Sequence, residues 1–366
     1  MGDVVLVGAG HAHLHVVKRA RDYLRLGARL TIISPHGFWY SGMATGVLGG
    51  GYPPALAHVD VAALAQRTGA ACIESRVLGI DRDHRRVQLA SGKALTYDLL
   101  SLNVGSEVPP TIDIEGGVRA YPVKPIERLV ELRRAIEAHE RGRLRLVVVG
   151  GGASGCEVAA NVAALARRRG RDAAVTVISR RERLLPGFPA SASRKVHLLL
   201  ERRGVQVRLG AEVIRVESDS ALLADGSREP LDLIVLATGL VPPPLARRAG
   251  LLVRPDGGLR VDGSLRAVED PRILGAGDCI AIEKRDLAMI GVYAVRQAPV
   301  LHANLLAALR GQPARRFEPQ RRFLLILNLG DGTALATRGR WSAHGRLAFR
   351  LKDWLDRRFL KAVQPR

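Results

Sequence analysis

Two glycine-rich turns carry the residues whose type and spacing imply chemistry. The apolar run Val4-Val5-Leu6-Val7 leads into Gly8-Ala9-Gly10, and Leu146-Val147-Val148-Val149 leads into Gly150-Gly151-Gly152-Ala153-Ser154-Gly155. In such a turn the first glycine makes a bend closed to side chains, and the second lets a pyrophosphate approach the backbone. A helix that starts there offers unpaired N–H groups and the positive end of its dipole. Gly150, Gly152 and Gly155 complete the G-x-G-x-x-G pattern, whereas the third position of the first copy is His13. His11 and His13 keep two readings: partners of phosphate or ribose, or residues that cap and pack the helix. A pattern that repeats, each time between strand and helix, predicts two dinucleotide sites.

The ends of the second strands are informative through what is missing. A carboxylate there normally accepts hydrogen bonds from a ribose 2′-hydroxyl. This chain has Ser34 and Ser179, and Ser179 is followed by Arg180, Arg181 and Arg183. With no carboxylate to repel it, a 2′-phosphate could be gripped bidentately by a guanidinium. The second site is therefore expected to accept NADPH at least as well as NADH; the alternative is a solvated arginine surface. Further on, Arg272-Ile273-Leu274-Gly275-Ala276-Gly277-Asp278 reads as a strand ending in Gly-Asp, whose carboxylate can accept from a sugar-alcohol hydroxyl such as flavin ribitol. Cys72, Cys156 and Cys279 are scattered, with no disulfide framework and no metal-ligand spacing. Cys156 and Cys279 read as packed small residues, and a reducing, cytoplasmic location is expected.

Periodicity supplies the elements that must position these residues. Residues 4–7, 30–33, 146–149 and 175–178 are short continuous apolar runs, as expected of parallel strands buried on both faces. Helices are expected over 11–25 and from the second turn to about 168, with short strands within 71–80 and 86–89. The buried strand in Leu231-Asp232-Leu233-Ile234-Val235-Leu236, ending at Gly239, has its counterpart in Tyr97-Asp98-Leu99-Leu100-Ser101-Leu102, ending at Gly105. Val108-Pro109-Pro110 and Val241-Pro242-Pro243-Pro244 read as crossovers. A last region has a strand at 323–327, the turn Gly330-Asp331-Gly332 and a terminal helix.

The formal charge is +21, and 49 of the 56 basic residues are arginine, a bias that looks like codon preference as much as a selected surface. Aromatic content of 4% and the lack of any recognised module argue against nucleic acid and favour anionic lipids or cofactors. No apolar run approaches the roughly 18 residues of a membrane span, and the strand pattern directly after Asp3 argues against a signal peptide. Residues 346–366 hold seven basic and two acidic residues, with Leu347, Leu351, Trp354, Leu355, Phe359 and Ala362 at helical spacing. That helix either rests on anionic lipid or closes the protein's own core or a homodimer interface.

These pieces, in this order, resemble the two-dinucleotide-binding flavoproteins of the pyridine nucleotide-disulfide oxidoreductase superfamily, over nearly the whole chain to about residue 310. The resemblance implies an α/β fold of two Rossmann-like domains plus a short α+β C-terminal region. FAD would lie in residues 1–116 and 245–312, NAD(P)H in an inserted domain over 117–244, and the C-terminal region would span 313–366. It implies that Gly8, Gly10, His11, His13, Ser34, Ser41, Gly42, Val77, Gly105, Gly277, Asp278, Gly291, Val292 and Tyr293 contact FAD. Gly150, Gly152, Gly155, Ser179, Arg180, Arg181 and Gly239 would line the nicotinamide dinucleotide site.

Within the superfamily the disulfide reductases carry a Cys-x4-Cys pair after the second strand. Phe38-Trp39-Tyr40-Ser41-Gly42-Met43-Ala44-Thr45-Gly46 has no cysteine, so no dithiol relay is expected, and the cysteines of sulfide:quinone reductases also lack counterparts. Gly10-His11-Ala12-His13, Tyr40-Ser41-Gly42-Met43, Val123-Lys124-Pro125-Ile126, Val292-Tyr293-Ala294-Val295-Arg296-Gln297, Pro319-Gln320-Arg321-Arg322-Phe323 and Leu351-Lys352-Asp353-Trp354 are most similar to type II NADH dehydrogenases. They also resemble the related flavoprotein fused to selenophosphate synthetase, although the synthetase domain is absent. Glu157 matches a glutamate near nicotinamide and flavin, Lys124 would place a positive charge near the flavin, and residues 289–293 would open a helix facing the flavin pyrimidine oxygens. The expected activity is transfer of a hydride from NAD(P)H to FAD and of electrons onward to a quinone. The alternatives are a soluble reductase of another acceptor and a slow flavin-bound redox sensor.

Overall fold

The two glycine turns leave equivalent positions of two parallel sheets. In the computed structural model, which describes residues 2–140, 142–320 and 322–364, the first sheet runs Ile273–Gly275, Leu99–Leu102, Asp3–Val7, Arg29–Ser34, Ala71–Glu74. The second runs Ala120–Pro122, Leu233–Leu236, Leu144–Val149, Ala173–Ser179, Val205–Leu209. All pairings in both are parallel, and the strand that feeds each turn is third of five. The likeness extends to single hydrogen bonds: Gly8 N donates to Ile33 O at 2.9 Å, and Gly150 N donates to Ile178 O at 2.8 Å. Val4, Val5, Leu6 and Val147, Val148 are at most 1% exposed, which is why these runs are apolar at every position.

Each sheet carries a small antiparallel addition. Val77–Asp81, Arg86–Leu89 and Ala94–Thr96 form the first, and Val213–Val216, Ser220–Leu223 and Arg228–Pro230 the second. Asp113–Ile114 pairs with Arg215 and Val216, so the chain enters the second unit a few residues before 116. The expected helix over 11–25 is split into His11–Val17 and Ala20–Leu24 by a tightened turn in which Arg19 N donates only three residues back, to Val16 O.

The C-terminal strands Leu325–Asn328, Ala334–Arg338 and Trp341–Gly345 form an antiparallel sheet followed by the helix Arg346–Val363. The first of these strands begins two residues later than periodicity suggested, and Arg321 of the motif quoted above lies outside the described residues. Asn161, on the helix Ala153–Arg168, donates to Asn328 O at 3.0 Å. Arg168 from the same helix donates to the carbonyls of Gly49 and Gly330. The C-terminal sheet thus clamps the second unit to the helix Ser41–Leu48 of the first.

Candidate active site

A cleft of about 740 Å³ runs along the carboxyl ends of the first sheet, where open α/β sheets place their ligands. Gly8, Gly10, His11, Ser34, Ser41, Val77, Gly105, Lys124, Gly277, Asp278 and Gly291 all line it. Two glycines make its floor. Gly8 has φ +87°, and a Cβ there would lie 2.6 Å from Asn103 O; one at Gly10 would lie 2.3 Å from Asn103 Oδ1. This backbone cradle, a helix start above it and a carboxylate further along fit an elongated dinucleotide such as FAD. The Ser34 hydroxyl is turned back onto His36 O at 2.7 Å, so it does not stand in for the absent carboxylate.

Asn103, 2% exposed, ties the cleft together and was not singled out by the motifs. Its Oδ1 accepts from the amides of Ala12 and His13 at 3.0 and 3.2 Å, and its Nδ2 donates to Ala276 O at 2.6 Å. One side chain therefore joins the first helix start to the Gly-Asp loop. Gln297 does similar work from the other side, accepting from Gly277 N at 2.7 Å. The signal for Asn103 was an amide at a strand end where the second copy has Ala237.

Four expected cofactor contacts are not among the residues that line this cleft. His13 is fully buried, with Nδ1 2.7 Å from Gly8 O and Nε2 2.8 Å from Ser101 Oγ. It therefore packs the helix against the strand. In the second copy Gly155 allows the Gly150 carbonyl to sit 1.9 Å from where a Cβ would be, whereas in the first a ring nitrogen meets that carbonyl's equivalent. Gly42 lies under the Tyr40 ring, 2.6 Å from a would-be Cβ, and its carbonyl accepts from Lys352. Val292 packs on the core, and Tyr293 turns onto Phe323 with ring centroids 6.0 Å apart.

Lys124 enters the cleft from the second unit and is paired there. Its Nζ lies 2.6 Å from Asp278 Oδ2 and 2.7 Å from Ser106 Oγ, with the two charged side chains 23% and 10% exposed. The pair compensates the Asp278 charge within the cleft. Cys156 and Cys279 are buried, and burial pushes both thiols up to about 12, so neither is a nucleophile at neutral pH.

Glu157 sits where three regions meet. Its Oε1 accepts from Asn328 N at 2.6 Å and from Thr45 Oγ1 at 3.4 Å. Burial lifts it to about 7, against the opposing pull of Lys352 and the Asn328 amide. Lys352 is itself buried in an ion pair with Asp356 at 2.7 Å, and Asp356 accepts from the Tyr40 hydroxyl at 2.9 Å. Tyr52 donates to Asp353 at 2.8 Å. The terminal helix is thus held by these polar contacts together with Leu360 and Val363, which are buried in the core of the first unit. Phe359 also stacks on Tyr40 at 4.6 Å and packs on the core of the first unit, whereas Leu347, Leu351, Trp354 and Leu355 face outward, so only part of the apolar stripe is covered.

At the second turn, Gly150 has φ +123° and a Cβ there would lie 2.2 Å from Ala237 O, while the space above Gly152 is open. Gly239, φ +131°, follows the neighbouring strand. Ser179 Oγ accepts from Arg181 N at 3.2 Å. Arg180 faces Glu212 at 3.6 Å, and Arg183 donates to the carbonyls of Phe188 and Pro186 at 2.9 and 2.7 Å. The exposed Arg181 guanidinium has no ion pair among the described residues.

Comparison with known proteins agrees with this geometry. The sequence profile of the family described as pyridine nucleotide-disulphide oxidoreductase matches residues 2–298. Putidaredoxin reductase CamA of Pseudomonas putida is 32% identical over 214 residues, 56% of this chain, which spans only 49% of that protein's length. Demethylphylloquinone reductase NdbB of Synechocystis is 26% identical over 296 residues, covering 75% of this chain and 69% of the relative. The solved sulfide:quinone oxidoreductase of Aquifex aeolicus superposes with a TM-score of 0.83 at 19% identity, covering 100% of this chain and 92% of that one, and shares the fold. The chain belongs to the pyridine nucleotide-disulphide oxidoreductase family and is an FAD-dependent oxidoreductase that uses NAD(P)H.

Proposed function

We propose that this oxidoreductase is a dehydrogenase that passes electrons from NAD(P)H to a quinone met at a membrane surface. The terminal helix carries the acceptor half of this reading. Its outward residues Leu347, Leu351, Trp354 and Leu355 are 79%, 42%, 54% and 40% exposed, edged by the exposed Arg346, Arg350, Arg358 and Lys361. An apolar strip bordered by cations matches the boundary of an anionic lipid layer. No helix of the described residues is long and apolar enough to cross a membrane, so contact would be along the surface. Two relatives named above carry a quinone in their names and one carries putidaredoxin.

Bound FAD supplies the two-electron chemistry between nicotinamide and acceptor. The two glycine turns would hold each pyrophosphate at a helix start, Asp278 would accept from the ribitol, and Lys124 would offset its charge. Reduction of a quinone to a quinol by NADH consumes one proton beyond the transferred hydride, and Glu157, lifted to about 7, is the group to give it. The carboxyl is protonated below that value and ionised above it. Quinone reduction is therefore expected to slow as pH rises through about 7. Glu157→Gln should flatten that limb and leave flavin reduction by NADH unchanged; an unaltered pH profile in the variant would remove Glu157 from the reaction.

Anaerobic stopped-flow tests the whole reading. NADH or NADPH is expected to bleach the flavin, and a quinone in phosphatidylglycerol vesicles to restore it. The Leu351→Glu, Trp354→Glu double variant should lose about tenfold of the vesicle-borne rate and keep the rate with a short-chain soluble quinone. Bleaching with no recovery on any quinone would overturn the acceptor.

On the donor side, Arg180 and Arg183 are engaged, and Arg181 is the guanidinium left for a 2′-phosphate. One charge-assisted contact is worth roughly 1.5 kcal/mol, about tenfold. Arg181→Ala is expected to raise KM for NADPH by about that factor and to change KM for NADH less than twofold. Equal changes for both would refute the assignment.

A further inference from the structure

The run Gly10-His11-Ala12-His13 holds two imidazoles, and only one is satisfied within the protein. His13 bridges Gly8 O and Ser101 Oγ, whereas the His11 ring has no hydrogen-bond partner among the described residues. Aromatic contacts fix its plane instead: Phe38 at 4.9 Å and 82°, Tyr40 at 5.6 Å and Phe359 at 5.3 Å. So held, the ring lines the cleft with its Cε1–Nε2 edge toward the start of the helix Gly291–Leu309. A Cβ placed on Gly291 would lie 3.6 Å from Nε2 and 3.8 Å from Ser41 Oγ. That helix has no side-chain cap; Tyr293 N donates to Ile290 O at 3.1 Å, and the N–H groups of Gly291 and Val292 have no acceptor among the described residues. An imidazole, a hydroxyl and a helix N-terminus therefore converge on one point of the cleft.

The identity of the ligand atom follows from charge. A phosphate would favour the imidazolium, but burial pushes His11 down to about 4, with Asp278 pulling against that shift and Lys124 adding to it. The neutral ring has one N–H to give and no charge of its own. Such a donor fits an oxygen–nitrogen edge that becomes negative only on reduction, where a preorganised hydrogen bond favours the reduced form over the oxidised one.

We propose that His11 donates from Nε2 to the N1–C2=O edge of the bound flavin and raises its reduction potential. This rests on the reading of the cleft as the FAD site. His11→Phe keeps the ring packing on Phe38, Tyr40 and Phe359 and removes the N–H; His11→Gln restores a donor without the ring. Flavin content and the two-electron midpoint potential would be measured on all three FAD-loaded proteins against a reference dye.

The Phe variant is expected to bind oxidised FAD within about threefold of wild type. Its equilibrium ratio of reduced to oxidised flavin should fall about tenfold, which is about 30 mV for a two-electron couple. The Gln variant should recover at least half of that. Equal potentials in wild type and His11→Phe overturn the proposal, as does an equal drop in both variants, which would assign the effect to packing. Wild-type protein that takes up no FAD overturns the cofactor reading, and this proposal with it.

Discussion

Gly155→Ala is expected to leave a yellow protein that NADH and NADPH no longer reduce at useful concentrations. A Cβ at 155 would lie 1.9 Å from Gly150 O, and the obstacle is backbone with no rotamer to yield. The turn cannot retreat either. Gly150 already holds φ +123° with its own would-be Cβ 2.2 Å from Ala237 O, so it is trapped between helix and neighbouring strand. The helix Ala153–Arg168 must therefore move away from the turn, and its first N–H groups move off the pyrophosphate position. Overpacking of this kind costs about 1–3 kcal/mol in stability, tolerable for a chain of this size. Loss of the phosphate contacts should raise KM for both nucleotides about a hundredfold, roughly 2.7 kcal/mol. The first sheet is untouched, so flavin content and reduction by dithionite should match wild type. Normal KM values in this variant would mean that the nicotinamide dinucleotide does not use this turn.

The contrast between Gly155 and His13 shows how far the sequence carried the fold. Continuous apolar runs ending in glycine located both central strands and both turns, because a strand buried on both faces leaves no polar position to confuse the pattern. The same logic located the Gly-Asp strand. What sequence could not resolve was direction and partnership at long range. His11 and His13 are two apart at a helix start, and only packing sends one into the cleft and the other onto Ser101, 88 positions away in the chain. Lys124 looked like a free charge near flavin because its partner, Asp278, is 154 residues distant. The terminal helix misled in a third way. Its amphipathic period was legible, but period does not say which face docks, and here the docked face buries Leu360, Val363 and the Lys352–Asp356 pair while Leu347, Leu351, Trp354 and Leu355 point out.

Asn103→Ala is expected to lose FAD and to melt early, and the two effects have separable causes. The side chain satisfies two amides at the start of the first helix and the Ala276 carbonyl, all in a site 2% exposed. Truncation leaves the two amides without partners and the Ala276 carbonyl with only the weak Cys279 thiol donor, at about 1–3 kcal/mol for each group that water cannot reach. Even a total of about 3 kcal/mol is a large share of a net stability of roughly 5–15 kcal/mol. It should lower Tm by about 4 °C, at roughly 2.1 cal/mol/K of unfolding entropy per residue over a chain of 366 residues. The Gly-Asp loop would also lose its tie to the glycine turn, so Asp278 and the phosphate cradle would no longer be held in one geometry; FAD affinity should fall at least a hundredfold. Asn103→Asp separates the causes. A carboxylate still accepts from Ala12 and His13, so the share of the stability that those two amides carry should remain. It cannot donate to Ala276 O, and it sets a negative charge beside the pyrophosphate position, so FAD affinity should fall about as far as in the alanine variant. Melting curves with and without excess FAD would read both effects. An alanine variant that keeps stoichiometric flavin and the wild-type Tm would show that the glycine turn and the Gly-Asp loop are held together by something other than this amide.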